Sequence, residues 1–168
     1  MKPLEPPDIF YVRAAEGWIE LGNHGEAAHE LDQVRPEFRM HPDVMEVHWQ
    51  MAARESRWDD CREIARGVTE RNPESPLGWI HFAYAARRAT GGRLEAAREI
   101  LLIAQKKFPA VPLIPYNLAC YECQLRNLDA TRHWLKHAFS LVADPKPMKL
   151  MALNDPDLAP MRKEIELI

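Results

Sequence analysis

Glycine is scarce, at seven residues in 168, and no segment alternates apolar and polar residues between turn signals for long enough to build a sheet. A β-rich fold is thereby set aside. Cysteine is sparser still, and three is an odd number that fits reduced thiols better than a disulfide framework. Nowhere do roughly 18 uncharged apolar residues follow one another. The opening MKPLEPPD has no apolar stretch behind its one Lys, so neither a membrane span nor a secretory leader is expected, and the expected compartment is the cytoplasm. A field of one sign is missing too. With 22 basic against 25 acidic residues and a net charge of −3, the chain has little to gather a phosphate backbone, so nucleic acid is not an expected partner.

What is present is helical spacing. Hydrophobic residues are 46% of the chain and charged residues 28%, values of a chain that folds, and its length suffices for one core or a short repeat array. Apolar or small residues recur in steps of three and four through Ala27, Leu31, Val34, then Cys61, Ala65, Val68, then Leu94, Ala97, Leu101, Ala104, then Leu128, Leu135, Ala138. Placed beneath one another, Ala27, Cys61, Ala97 and Thr131 hold one frame with spacings of 34, 36 and 34. Leu31, Ala65, Leu101 and Leu135 keep it, as do Val34, Val68, Ala104 and Ala138. A period near 34 residues is the signature of a helix-turn-helix array whose units bury their apolar faces only against neighbours. The two extra residues of the third unit fall near Ala89-Thr90-Gly91-Gly92, where two glycines absorb an elongated turn.

The preceding helix of each unit shares the frame through Tyr11, Met45 and Trp79, followed by Ala15, Trp49 and Ala83, and in the fourth unit through Pro115 and Ala119. Pro115 is tolerable in a first turn, where its missing N–H has no partner to lose. Pro73 and Pro109 close the second helices of units two and three, and Pro36 and Pro42 bracket the longer join after unit one. The pattern predicts helices over about 8–21, 24–35, 43–55, 58–71, 76–89, 93–107, 113–125 and 128–142.

On these residues the chain resembles the tetratricopeptide repeat (TPR) family, in the manner of its small bacterial members. YNLACYECQLRNLDATRHWLKHAFSL, residues 116 to 141, is very similar to one such repeat, and GRLEAAREILLIAQKKFP, residues 92 to 109, to the second half of another. Units one and two depart from the family pattern at Cys61, where Ala is favoured, and at Arg39, where a closing Pro is usual. Trp18, Leu21 and Gly22 also fit the opening of the pattern, but that register breaks the match with unit two and is rejected. The resemblance spans about residues 8 to 142. It implies an all-α, right-handed superhelix, a TPR solenoid in one domain, with repeats over about 8–41, 42–75, 76–111 and 112–145. A C-terminal cap over 146–168 is expected to cover the open edge of unit four, its last helix N-capped by Asp155 or Asp157. The Asp-Pro-Asp-Leu run there resembles the tail that follows repeats in bacterial members.

The candidates for chemistry are few. Cys120 and Cys123 form a Cys-x-x-Cys, but with no preceding strand and no second pair it reads as packing or groove lining before a redox or metal site. His133 and His137, at i and i+4, lack the Glu of a zincin and read as coincidence. Asp59 and Asp60 open a helix and oppose its positive end. Trp18, Trp49, Trp79 and Trp134 fall on packing faces, and Trp58 on an inter-helix turn. No nucleophilic triad, phosphate loop or dinucleotide fingerprint stands in the chain, so neither catalysis nor a cofactor is expected.

In the solenoid that the resemblance implies, the first helices line a concave groove. The residues turned away from the packing stripe are Val12, Arg13, Glu16 and Glu20 in unit one and Glu46, Gln50 and Arg54 in unit two. Unit three contributes Leu77, His81, Tyr84, Arg87 and Arg88, and unit four Tyr116, Asn117, Cys120, Cys123 and Gln124. Tyr84 and Tyr116 offer contact area, and Arg54, Arg87 and Arg88 suit carboxylates. The expected activity is therefore that of an adaptor or assembly chaperone holding an acidic or C-terminal peptide. Asn117 occupies one position of the carboxylate clamp of chaperone-tail binders, but the matching Lys residues are absent. Replacing Arg87 and Arg88 by Glu is expected to abolish capture with a fall of only a few degrees in melting temperature. Two alternatives stay open: self-association through the convex face or the Met-rich tail into a homodimer, and thiol or metal chemistry at Cys120 and Cys123.

Overall fold

The computed structural model describes residues 3–168, and every regular element among them is helical. Four consecutive helix pairs make up most of the chain: α1 (Asp8–Glu20) with α2 (His24–Asp32), α3 (Pro42–Arg54) with α4 (Trp58–Arg71), α5 (Pro76–Ala86) with α6 (Leu94–Lys107), and α7 (Leu113–Gln124) with α8 (Leu128–Ser140). A short 3-10 turn over Pro36–Phe38 fills the join before α3. Most starts are local chemistry. Asn23, Ser75 and Asn127 accept a backbone N–H of the first turn, and Pro42 and Pro76 occupy positions where a missing N–H costs nothing.

The turn inside each pair repeats in its backbone. Gly22, Ser56, Gly91 and Arg126 have positive φ of 76, 57, 68 and 63°. In pairs one, two and four the next residue donates its N–H five residues back, Asn23 to Trp18, Arg57 to Ala52 and Asn127 to Glu122. This is the glycine-type helix stop that satisfies the orphan carbonyls of the first helix. The third turn is longer, and Gly92 is required there because a Cβ would sit 2.6 Å from the carbonyl oxygen of Ala86.

The twelve residues of the 34-residue frame are buried with the single exception of Val68, which is half-exposed. Their burial gathers three apolar clusters: one around α1, α2 and the start of α3, one around Trp49, Cys61 and Ala65, and a larger one from Ala83 to Ile165. Each helix packs against the next through most of the chain. Among the first helices, α1 packs closely on α3, whereas α5 approaches both α3 and α7 more loosely. On the other side α4 lies tightly on α5. The contact needs Gly78, where a Cβ would stand 2.8 Å from Cγ1 of Val68.

The C-terminal segment forms three pieces instead of one last helix: α9 (Lys146–Asn154), a 3-10 stretch over Pro156–Met161, and α10 (Arg162–Leu167). Asp155 is the cap, its carboxylate accepting the N–H of Asp157. The two prolines, Pro156 and Pro160, remove donors that an α-helix needs and leave the tighter winding. Ala152, Leu158, Met161 and Ile165 are fully buried against α7 and α8.

Candidate functional site

Two hollows border the first-helix layer. The one toward the C-terminus lies between α5, α7 and the α9 end, about 440 Å³ in volume. Here the chain has placed its own acidic segment on the residues expected to hold a partner. Arg87 grips Asp157 with both terminal nitrogens, at 2.5 and 3.2 Å. The Tyr116 hydroxyl donates to Asp155 at 2.9 Å, the Cys120 thiol donates to the same oxygen, and Gln124 donates to the carbonyl of Asp157. Tyr116 and Cys120 are only 5% and 3% exposed, and Cys123 is buried as well. The expectation of open groove residues in unit four is therefore corrected for Tyr116, Cys120 and Cys123. In unit one Val12, 2% exposed, belongs to the core.

Burial also sets the thiol chemistry. Loss of solvent pushes the Cys120 thiol far up, with the nearby Asp155 and Asp157 charges adding to it; it pushes Cys123 up, and Cys61 up to about 11. All three thiols are free. Protonated thiols of this kind are poor nucleophiles. His133 is exposed, and His137 shares a hydrogen bond with Gln105 at 3.2 Å.

Arg88 stays half-buried, its guanidinium 3.5 Å from the centre of the Tyr84 ring and 5.4 Å from that of Trp58, with one N–H on the carbonyl of Tyr84. Desolvation and the neighbouring Arg87 charge both lower its pKa. Asn117 donates to the carbonyl of Leu113. Arg13, Glu20 and Arg54 are exposed.

The second hollow is the gap between α3 and α5, a cavity of about 220 Å³ floored by Ile64, Ala65 and Val68 of α4. This is why Val68 alone of the repeat frame is uncovered. The side chains that span the gap are few. His81 of α5 lies flat on Trp49 of α3, ring centroids 3.7 Å apart, and its Nδ1 stands 3.2 Å from Glu46 Oε2. The other oxygen of Glu46 accepts from Gln50. Burial works to raise the Glu46 pKa, but the hydrogen bond and charge of His81 outweigh it and hold the carboxyl below the usual range. Tyr84 meets Trp49 edge-on at 6.1 Å. Glu16 of α1, Asp43 and Leu77 stand at the rim. With this geometry in view the chain has no match among protein-family models and no significant match among curated proteins.

Of the seventeen positions read as groove lining, Glu16, Glu46, Leu77 and His81 meet at the α3–α5 gap, and Gln50 supports Glu46. Arg87, Tyr116, Cys120 and Gln124 meet instead around the chain's own Asp155 and Asp157. Sequence reasoning missed Asp155 and Asp157 as occupants, having read them only as caps. It also missed Trp49 as a cleft wall, because a packing position and a wall share one helical face. The one signal for the former was an Asp-Pro-Asp run after the last repeat.

No helix among the described residues is long and apolar enough to cross a membrane.

Proposed function

We propose that the chain is a tetratricopeptide-type solenoid acting as an adaptor or assembly chaperone, and that it holds a segment of another polypeptide on its first-helix face. The observation that carries this reading is the open gap between α3 and α5, which, unlike the α5–α7 hollow, holds none of the chain's own C-terminal segment. Leu77, 43% exposed at the rim of that gap, gives an incoming chain an apolar foothold. The recurring positive-φ turns at 34- to 35-residue intervals support the repeat assignment. The expected acidic or C-terminal ligand fits the α5–α7 hollow poorly, since Asp155 and Asp157 already sit on its donors. Displacing them means exposing Leu158, Met161 and Ile165, on the order of 5–9 kcal/mol of apolar burial. The open part of the groove is therefore its N-terminal and central part. A catalytic role has no support in the raised thiols.

A second reading, self-association, draws on Leu150 and Met151, exposed side by side on α9. It predicts a concentration-dependent dimer by light scattering.

The docking reading is tested with a photo-crosslinking amino acid placed at Leu77, or at Ile103 on α6 as a control for the outer layer. One and the same polypeptide crosslinked in cells from position 77 and not from 103 supports it. Equal labelling from both positions, or none from 77, refutes it.

A further inference from the structure

We infer that the α3–α5 cleft takes a Lys or Arg side chain of the docked polypeptide; this rests on the docking reading and fixes the sign of the ligand. Three carboxylates, Glu16, Asp43 and Glu46, line the cavity together with His81, and among the described residues no Lys or Arg does; Asp43 lies 3.6 Å from His41, and Glu46 is met by His81 and Gln50. Glu46 is held as a carboxylate below the usual range. Glu16 is exposed and, among the described residues, makes no hydrogen bond or ion pair, so its charge faces solvent. The contrast with the other hollow is decisive, because there Arg87 and Arg88 are matched by Asp155 and Asp157 and the charges balance.

Size and walls narrow the occupant further. Ligand pockets for free small molecules run to roughly 300–1,000 Å³, and 220 Å³ is closer to the room one long side chain fills. Leu77 and the edge of Trp49 offer apolar surface to the methylene stem of Lys or Arg, with the carboxylates placed for its charged head. A separate observation also points to a missing ligand. Trp49 lines the cavity, is 9% exposed, and its buried indole N–H meets no acceptor among the described residues. A buried donor left unmet is costly.

The experiment uses two fluorescein-labelled nonapeptides, identical except that one carries two arginines flanking a leucine and the other two glutamates. Binding to the full chain is followed by fluorescence anisotropy at low and at physiological salt. The arginine peptide binds at least tenfold more tightly than the glutamate peptide, and added salt weakens it. Glu16→Lys lowers that affinity at least tenfold with an unchanged melting temperature, and Glu46→Gln lowers it while keeping the Gln50 contact. Glu95→Lys, the same charge change on α6, leaves it intact. Equal or tighter binding of the glutamate peptide overturns the inference, as do equal losses in Glu16→Lys and Glu95→Lys, or no binding of either peptide. The docking reading stands or falls separately, on the crosslinks from position 77.

Discussion

His81 and Trp49 lie face to face with their planes 3° from parallel, and this stack is the main side-chain tie between α3 and α5. Its other edge is fastened by the contact of His81 Nδ1 with Glu46 Oε2 at 3.2 Å. Such a ring pair contributes about 0.5–1.5 kcal/mol beyond its buried area. His81→Ala is expected to cost about 1–2 kcal/mol and lower the melting temperature by about 2–6 °C. His81→Phe, which keeps the stack and drops the contact with Glu46, should lie between. Calorimetry on the three proteins checks the order.

The left-handed turn residues give a stabilising prediction. Ser56 and Arg126 hold the backbone positions that Gly22 and Gly91 hold elsewhere, and a Cβ there is strained. Glycine relieves that strain but adds entropy to the unfolded chain. Ser56→Gly and Arg126→Gly should each gain about 0.5–1 kcal/mol, adding up in the double variant because the sites are far apart. Urea midpoints at constant slope measure it.

A third prediction concerns acid. Asp8 is fully buried and accepts the backbone N–H and two side-chain N–H groups of Arg35. The Arg35 hydrogen bonds, led by those of the guanidinium, hold its carboxyl below the usual range against the effect of burial. A lowered folded pKa stabilises the protein above the unfolded value, about 3.9, and that stability is lost as the pH falls through the folded one. Asp8→Asn should therefore cost about 2–3 kcal/mol at pH 7, below the full value for a buried pair because Arg35 is half in solvent. Denaturation at a series of pH values should show the gap between the two proteins closing below about pH 4 and not above it.

Arg87 tests the C-terminal closure. Because it is bound to Asp157, its charge reversal is a stability mutation, contrary to the expectation of a harmless groove variant. Arg87→Glu should cost about 2–3 kcal/mol. Adding Asp157→Arg should restore part of it, with a coupling of at least about 1 kcal/mol in the double-mutant cycle. A cycle that is simply additive would show that the pair contributes nothing.

The helices were legible because their residues are neighbours in the chain. Six of the eight predicted spans begin at the observed first residue, and all end within about three of the observed last one. The second and fifth overshoot, since the residues after Asp32 and Ala86 keep the helical pattern while the backbone is already turning. A period of 3.6 carries no information on which face residues a distant segment covers. Tyr116 and Asp155 are 39 positions apart and Arg87 and Asp157 are 70 apart. Nothing in either local pattern foretells the pairing. The sequence did place Glu46 and His81 on one face, but their meeting depends on how closely α3 approaches α5, which the pattern of neither helix contains.

The support around that gap is lopsided. With α4 packed on α5 along one side, the other side is bridged by the two ring contacts of Trp49, to His81 and to Tyr84, and by the Glu46–His81 contact. Widening the gap between α3 and α5 would part the Trp49–His81 stack, the Trp49–Tyr84 edge contact and the Glu46–His81 contact, while the α4–α5 packing at Gly78 would stay in place.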